Sequence, residues 1–116
     1  MKDTVQLFID EIKNKPHVQP LITKANLSIE LITEVERVSM GFFDGAVCMN
    51  PNDRVLYKNW QMTGREEGMV ALLAGQEKLR SLAEKKVLTI KAPFRTILLL
   101  ESIFYLAKAE QEQPVG

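Results

Sequence analysis

The segment from Pro93 to about residue 109 places the tightest constraint on how this chain can fold. Its spacing predicts a helix, with Pro93 suited to the first turn. Phe94, Ile97, Leu98, Leu99, Leu100, Ile103, Phe104, Tyr105 and Leu106 would cover nearly its whole circumference. A helix resting on a protein surface needs only one apolar stripe, so a girdle like this calls for burial on more than one side. Three arrangements provide that: a central place in an ordinary core, a dimer interface, or the wall of a cavity. The girdle alone favours the first.

A membrane span is not among them. The run Ile97–Leu100 is broken by Glu101 and Ser102, far short of the ~20 apolar residues a spanning helix requires. No stable membrane insertion is expected. The first residues, Met-Lys-Asp-Thr-Val-Gln, are polar and unlike a secretory leader, so a cytoplasmic location is expected. At 116 residues the chain suits a single domain, 1–116, with a tail frayed from about residue 110. It is long enough to bury a core without disulfide or metal staples. Lys and Arg total 15, and Asp and Glu total 15. That balance removes the electrostatic case for a nucleic-acid partner, which needs excess cations to displace counterions from phosphates.

Asp3 and Gln6 have the spacing of a capping-box variant, and Val5, Phe8, Ile9 and Ile12 recur at helical period, predicting a helix over about residues 3–14. Residues 16–26, with two prolines and Asn26, read as a connection with room for one helical turn. Leu27, Ile29, Leu31 and Val35 alternate with Ser28, Glu30, Glu34 and Glu36, the pattern of a half-buried strand. Asp44-Gly45 and Asn50-Pro51-Asn52-Asp53 are turn signals, which sets Ala46–Met49 and Val55–Met62 as further strands of an antiparallel meander. Thr63-Gly64-Arg65-Glu66 has capping-box spacing before the stripe Met69, Val70, Leu72 and Leu73, and Gly75 can end that helix in the left-handed conformation. Leu79, Leu82 and Ala83 mark a second short helix, closed by Lys85 and Lys86. Val87–Lys91 is short and β-branched, hence another strand. The expected class is α+β: an antiparallel-rich sheet of about five strands with helices packed on one face. The order is α, three or four strands, α, α, β, α, without alternating βαβ units.

Chemistry-bearing residues are few. His17 lies between Pro16 and Val18 with no partner at the spacing of a base or metal site, and reads as a surface histidine. Cys48, the one cysteine, can form no disulfide within the chain and reads as a small buried hydrophobe beside Val47 and Met49. Glu30, Glu34 and Glu36 read as a solvated row on the polar face of a strand. The glycine turns lack the spacing of a phosphate loop. Met40, Met49, Met62 and Met69 read as gap-fillers in a core, with an adaptable apolar surface as the functional alternative. No catalytic set, metal or cofactor is expected.

Residues 59–107 carry a resemblance. Asn59-Trp60-Gln61-Met62-Thr63-Gly64, then Met69-Val70-Ala71-Leu72-Leu73-Ala74-Gly75, then Val87-Leu88-Thr89-Ile90-Lys91 and the long apolar helix resemble the sterol carrier protein family. Members of that family show a strand, a short helix ending in Leu-Leu-x-Gly, a second helix, an L-x-I strand and a terminal helix. Two positions depart from the pattern: where the family often places glycines around the L-x-I strand, this chain has Lys86 and Ala92. The resemblance implies a non-catalytic domain with a hydrophobic tunnel between sheet and helices, for sterols, fatty acyl chains or similar lipids.

The expected function is therefore non-enzymatic binding or transfer of an elongated apolar molecule. The groove would lie between the inner sheet face and the helices around Met69–Leu73 and Phe94–Leu106. Its expected liners are Leu31, Met62, Met69, Leu73, Phe94, Leu98 and Phe104. The alternative is a protein-interaction module or homodimer that uses the C-terminal helix, its cavity filled by its own side chains.

Overall fold

The computed structural model describes residues 1–49 and 59–107. The expected turn at 50–53, the first part of the strand expected over 55–62, and the expected frayed tail lie outside the described residues.

Helix α1, Lys2–Lys13, buries Val5, Phe8, Ile9 and Ile12, the residues whose period predicted it. Its expected capping box does not form. The helix begins on the Met1 carbonyl, which accepts from the Val5 N–H at 2.9 Å, and the Gln6 amide donates instead to Asp10 Oδ1 at 3.0 Å.

Residues 16–26 correct the expectation of a connection: they form a 3-10 turn, Pro16–Val18, and helix α2, Gln19–Ala25. Pro20 occupies the first turn of α2, where an absent N–H costs nothing, so it starts the helix rather than breaking it. Val18, Ile22 and Ala25 are buried at helical spacing, and Asn26, in the left-handed conformation (φ 38°), ends the helix.

The strand expected from Leu27 through Glu36 stops at Ile32, and residues 33–36 form a turn into a second strand. β1 is Leu27–Ile32 and β2 is Arg37–Phe43. Between them Thr33 Oγ1 accepts from the N–H groups of Val35 and Glu36, each at 3.1 Å. This local side-chain bonding competes with strand formation and leaves Val35 66% exposed. The Glu30, Glu34, Glu36 row is broken in consequence. Asp44 and Gly45 both have positive φ, 50° and 77°, the pattern of a tight hairpin turn, and lead into β3, Ala46–Met49.

β4, Asn59–Gly64, lies beside β1 and parallel to it, with Ile29 opposite Trp60 and Leu31 opposite Met62. The meander is therefore confined to β1–β3. β5, Leu88–Lys91, pairs antiparallel with β4 at the far edge, giving the order β3-β2-β1-β4-β5. The result is a five-stranded, antiparallel-rich sheet in an α+β fold, as expected. Ile29, Leu31, Val38, Met40, Phe42 and Met62 project from the inner face and are at most 1% exposed. The outer face carries Glu30, Ser39, Gln61 and Thr63, with Gln61 Nε2 donating to Glu30 Oε1 at 3.3 Å.

Candidate functional site

Three helices are set over the β4–β5 edge by local chemistry. Helix α3, Glu66–Leu73, ends as Gly75 predicted. Gly75 has φ 75°, its N–H bonds to the Leu72 carbonyl at 3.1 Å, and the Gln76 N–H bonds to the Ala71 carbonyl at 2.9 Å, a Schellman ending. Its start differs from expectation. Thr63 and Gly64 belong to β4, Arg65 is the N-cap without a side-chain bond, and a distant carboxylate, Glu34 Oε1, accepts from the Glu66 N–H at 3.0 Å. The sequence spacing was right for a box, but Thr63 was already committed to the sheet ladder.

Helix α4, Leu79–Glu84, ends the same way as α3 with a residue less suited to it. Lys86 stands at φ 62°, its N–H bonding to Ala83 O at 3.1 Å and the Val87 N–H to Leu82 O at 2.9 Å. The turn before the L-x-I strand thus keeps a left-handed residue, although lysine holds it.

Helix α5, Phe94–Ala107, starts on the Pro93 carbonyl, which accepts from the Ile97 N–H at 3.0 Å. Leu100, Ile103, Phe104 and Ala107 are buried, and the Phe104 ring packs at 45° to that of Phe8, 5.3 Å between centroids. Phe94 is 63% exposed, Tyr105 41%, and Leu98 and Leu106 36% each. The expectation of burial on more than one side is therefore corrected: this chain buries one face of α5 and leaves the opposite apolar face in solvent.

Glu101, only 9% exposed, fixes α4 to α5. Its Oε1 accepts from Arg80 Nε at 2.9 Å and its Oε2 from the Arg80 backbone N–H at 3.2 Å. Lys78 Nζ lies 5.2 Å from the centre of the Tyr105 ring. With position 78 beside 105 and 80 beside 101, α4 runs antiparallel to α5, and its far end comes level with the start of α5. There the two helices and β5 border a shallow groove of about 350 Å³, wide open to solvent and lined by Arg80, Ala83, Glu84, Ile90, Phe94 and Ile97. A smaller hollow of about 140 Å³ lies between α1 and the β3 edge, lined by residues that include Ile9, Ile12 and Val47.

Of the residues expected to line a groove, Phe94 does so and Leu98 stands exposed one turn further along α5. Leu31, Met62, Met69, Leu73 and Phe104 are 0% exposed and meet in the core beneath. Met62 is opposite Ile90 across the β4–β5 ladder, so the groove floor and the buried group are adjacent. Arg80, Ala83, Glu84, Ile90 and Ile97 are not among the liners expected from sequence, although Ile97 falls within the Phe94–Leu106 stretch expected to border the groove. The available signal was Ala83 flanked one turn apart by Arg80 and Glu84, a helix face that a closed core would not accept. Trp60, on the same sheet face as Met62, has an indole Nε1 that is buried without a hydrogen-bond partner among the described residues.

The remaining candidates have plain surroundings. His17 is exposed. Cys48 is exposed on edge strand β3 rather than buried, because the alternation of β3 turns Val47 and Met49 inward. No group of three or more His, Cys, Asp or Glu is arranged for a metal among the described residues. No helix among them is long and apolar enough to cross a membrane.

No family model matches the chain, and no curated protein does. Solved structures share its fold at low identity. One is named UbiJ-SCP2 ubiquinone synthesis protein (10% identity, TM-score 0.69, covering 88% of this chain and 90% of that one). Sterol carrier protein 2 from Yarrowia lipolytica, in its apo form, has 15% identity and a TM-score of 0.59, covering 89% and 88%. The sterol carrier protein domain 2 of Helicoverpa armigera has 13% identity and a TM-score of 0.61, covering 94% and 88%. The fold is that of sterol carrier protein 2, and the likeness extends well beyond residues 59–107.

Proposed function

We propose that this chain binds an elongated apolar molecule, without catalysis, in the groove between α4, β5 and the first turns of α5. The observation that carries the reading is the groove itself, open to solvent and built on Ala83, Ile90, Phe94 and Ile97. Its volume of about 350 Å³ is within the range of small-molecule sites, roughly 300–1,000 Å³. Arg80 and Glu84 stand among the apolar liners, placing a donor and an acceptor where a ligand's polar end would emerge. The sterol carrier names of structural neighbours support the same class, since a sterol is mostly hydrocarbon and elongated.

A ligand longer than the groove would extend inward across Ile90 to Met62 and Met69, whose unbranched thioether chains repack readily. Leu31, Leu73 and Phe104 would line this inner part, with Leu98 at the outer lip. α5 would have to shift for the inner part to open. Each buried methylene contributes about 0.8 kcal/mol. A dozen would supply roughly 10 kcal/mol before ordering costs, enough for micromolar binding.

Trp60 is the single tryptophan, and its emission provides the assay. Titration with a long-chain fatty acid should change that emission saturably. Ala83→Leu, which fills the groove, should weaken the titration at least tenfold with little loss of stability. An unchanged titration in that variant would remove the groove as the site.

A further inference from the structure

We propose that the exposed face of α5, together with the start of α4, docks on an anionic lipid bilayer surface and holds the groove mouth against it. Six large apolar residues are conspicuously exposed among the described ones, and four of them, Phe94, Leu98, Tyr105 and Leu106, are on α5. Phe94 to Tyr105 spans three helical turns, a stripe about 16 Å long at 1.5 Å per residue. An apolar patch concentrated on one element marks an interaction surface, whereas scattered exposed residues do not.

The charge around the stripe identifies the partner. From Glu77 to Leu106 there are six Lys and Arg against three Glu, in a chain whose charges balance overall. Glu77 pairs with Lys85 at 3.0 Å and Glu101 with Arg80 at 2.9 Å, which leaves Lys78, Lys86, Lys91 and Arg95 against Glu84 in this stretch. Lys78 lies over Tyr105 at one end of the stripe, and Arg95, exposed, is one turn from Leu98 at the other. Aromatic and aliphatic side chains rimmed by cations are the pattern of a helix lying in the headgroup region, its apolar face in the acyl boundary and its cations on lipid phosphates. A second copy fits less well, because a two-fold interface presents the same patch from both sides and would bring this cationic rim against itself.

The test is co-sedimentation of the full chain with phosphatidylcholine vesicles, with and without phosphatidylglycerol. Binding is expected to the anionic vesicles, weakening as salt rises. Each basic residue at such a surface is worth about fivefold in partition, so Lys78→Gln with Arg95→Gln should lower it roughly thirtyfold. Leu98→Ser should also lower it, and Leu7→Ser, which changes an exposed leucine on α1, should not. The Lys78/Arg95 variant should still bind a fatty acid free in solution, which separates failure of docking from failure of the groove. Equal partition to neutral and anionic vesicles, or none to either, would overturn the proposal. So would a dimer abolished by Leu98→Ser in a chain that ignores vesicles, which would assign the face to a second copy.

Discussion

Lys86 holds a backbone conformation that favours glycine, at φ 62°. A residue with a Cβ pays roughly 1 kcal/mol there. Lys86→Gly should therefore stabilise the fold by up to about 1 kcal/mol in chemical denaturation, reduced by glycine's greater freedom when unfolded. Gly64 presents the opposite case. A Cβ on it would approach the Val87 carbonyl oxygen to 2.6 Å and collide with the Leu88 side chain. The obstruction includes backbone, so Gly64→Ala should destabilise by about 1–3 kcal/mol, and a loss below that range would mean the β4–β5 edge is looser than described. Met1 supplies a pH dependence. Its ammonium is 3.0 Å from Glu36 and 3.3 Å from Glu66. The hydrogen bond to Glu36 leads in raising its pKa, against the opposing effect of burial and with help from Glu66. A group with a raised folded pKa stabilises fully below its unfolded pKa, about 8, and loses that contribution as pH rises through the folded value. Chains with free and acetylated amino groups should accordingly differ in melting temperature at pH 7 and converge as the solution becomes alkaline.

Among the elements, α5 and α2 show what sequence does and does not record. The period of α5 and its start after Pro93 were legible, because helix formation depends on spacing within the segment. How many of its faces would be covered was not, because that depends on the number of elements packed around it. α2 is not legible because two prolines within residues 16–26 signal a break, although Pro20 falls in the one turn where proline is tolerated. The turn at 33–36 was hidden by the accident that Val35 keeps the alternation of β1. The α4–α5 pairing was equally invisible. Glu101 looked like an interruption of an apolar helix, yet it accepts from Arg80 twice and fixes the first turn of α4. Glu101→Ala should cost about 1.5–3 kcal/mol, the range for hydrogen bonds to a charged group, with the lower end expected because Arg80 is half exposed. It should also weaken fatty acid binding, since it frees the wall of the groove. Loss of stability with unaltered binding would show that the wall is held by Leu79 and Leu82 alone.

At the scale of the whole molecule, the class of fold was readable because element order, the Leu-Leu-x-Gly ending of α3 and the L-x-I strand all survive in this sequence. The parallel pairing of β4 with β1 was not, since strand neighbours far apart in sequence leave no local pattern. The site was legible only in part. Sequence singled out large apolar residues, and packing drew most of them, Leu31, Met62, Met69, Leu73 and Phe104, into the core. The groove that stays open lies at the end of α4, beside Ile90 and Ile97, and that placement is a matter of geometry. The central claim, that this fold here serves to hold an apolar molecule, is tested most directly by native mass spectrometry. The purified chain would be measured as isolated and again after incubation with fatty acid, sterol and quinone. The account predicts a mass increment of one apolar ligand per chain, released by solvent extraction and absent from Ala83→Leu. A chain that remains at its own mass in every case, or an increment that Ala83→Leu retains in full, would contradict it.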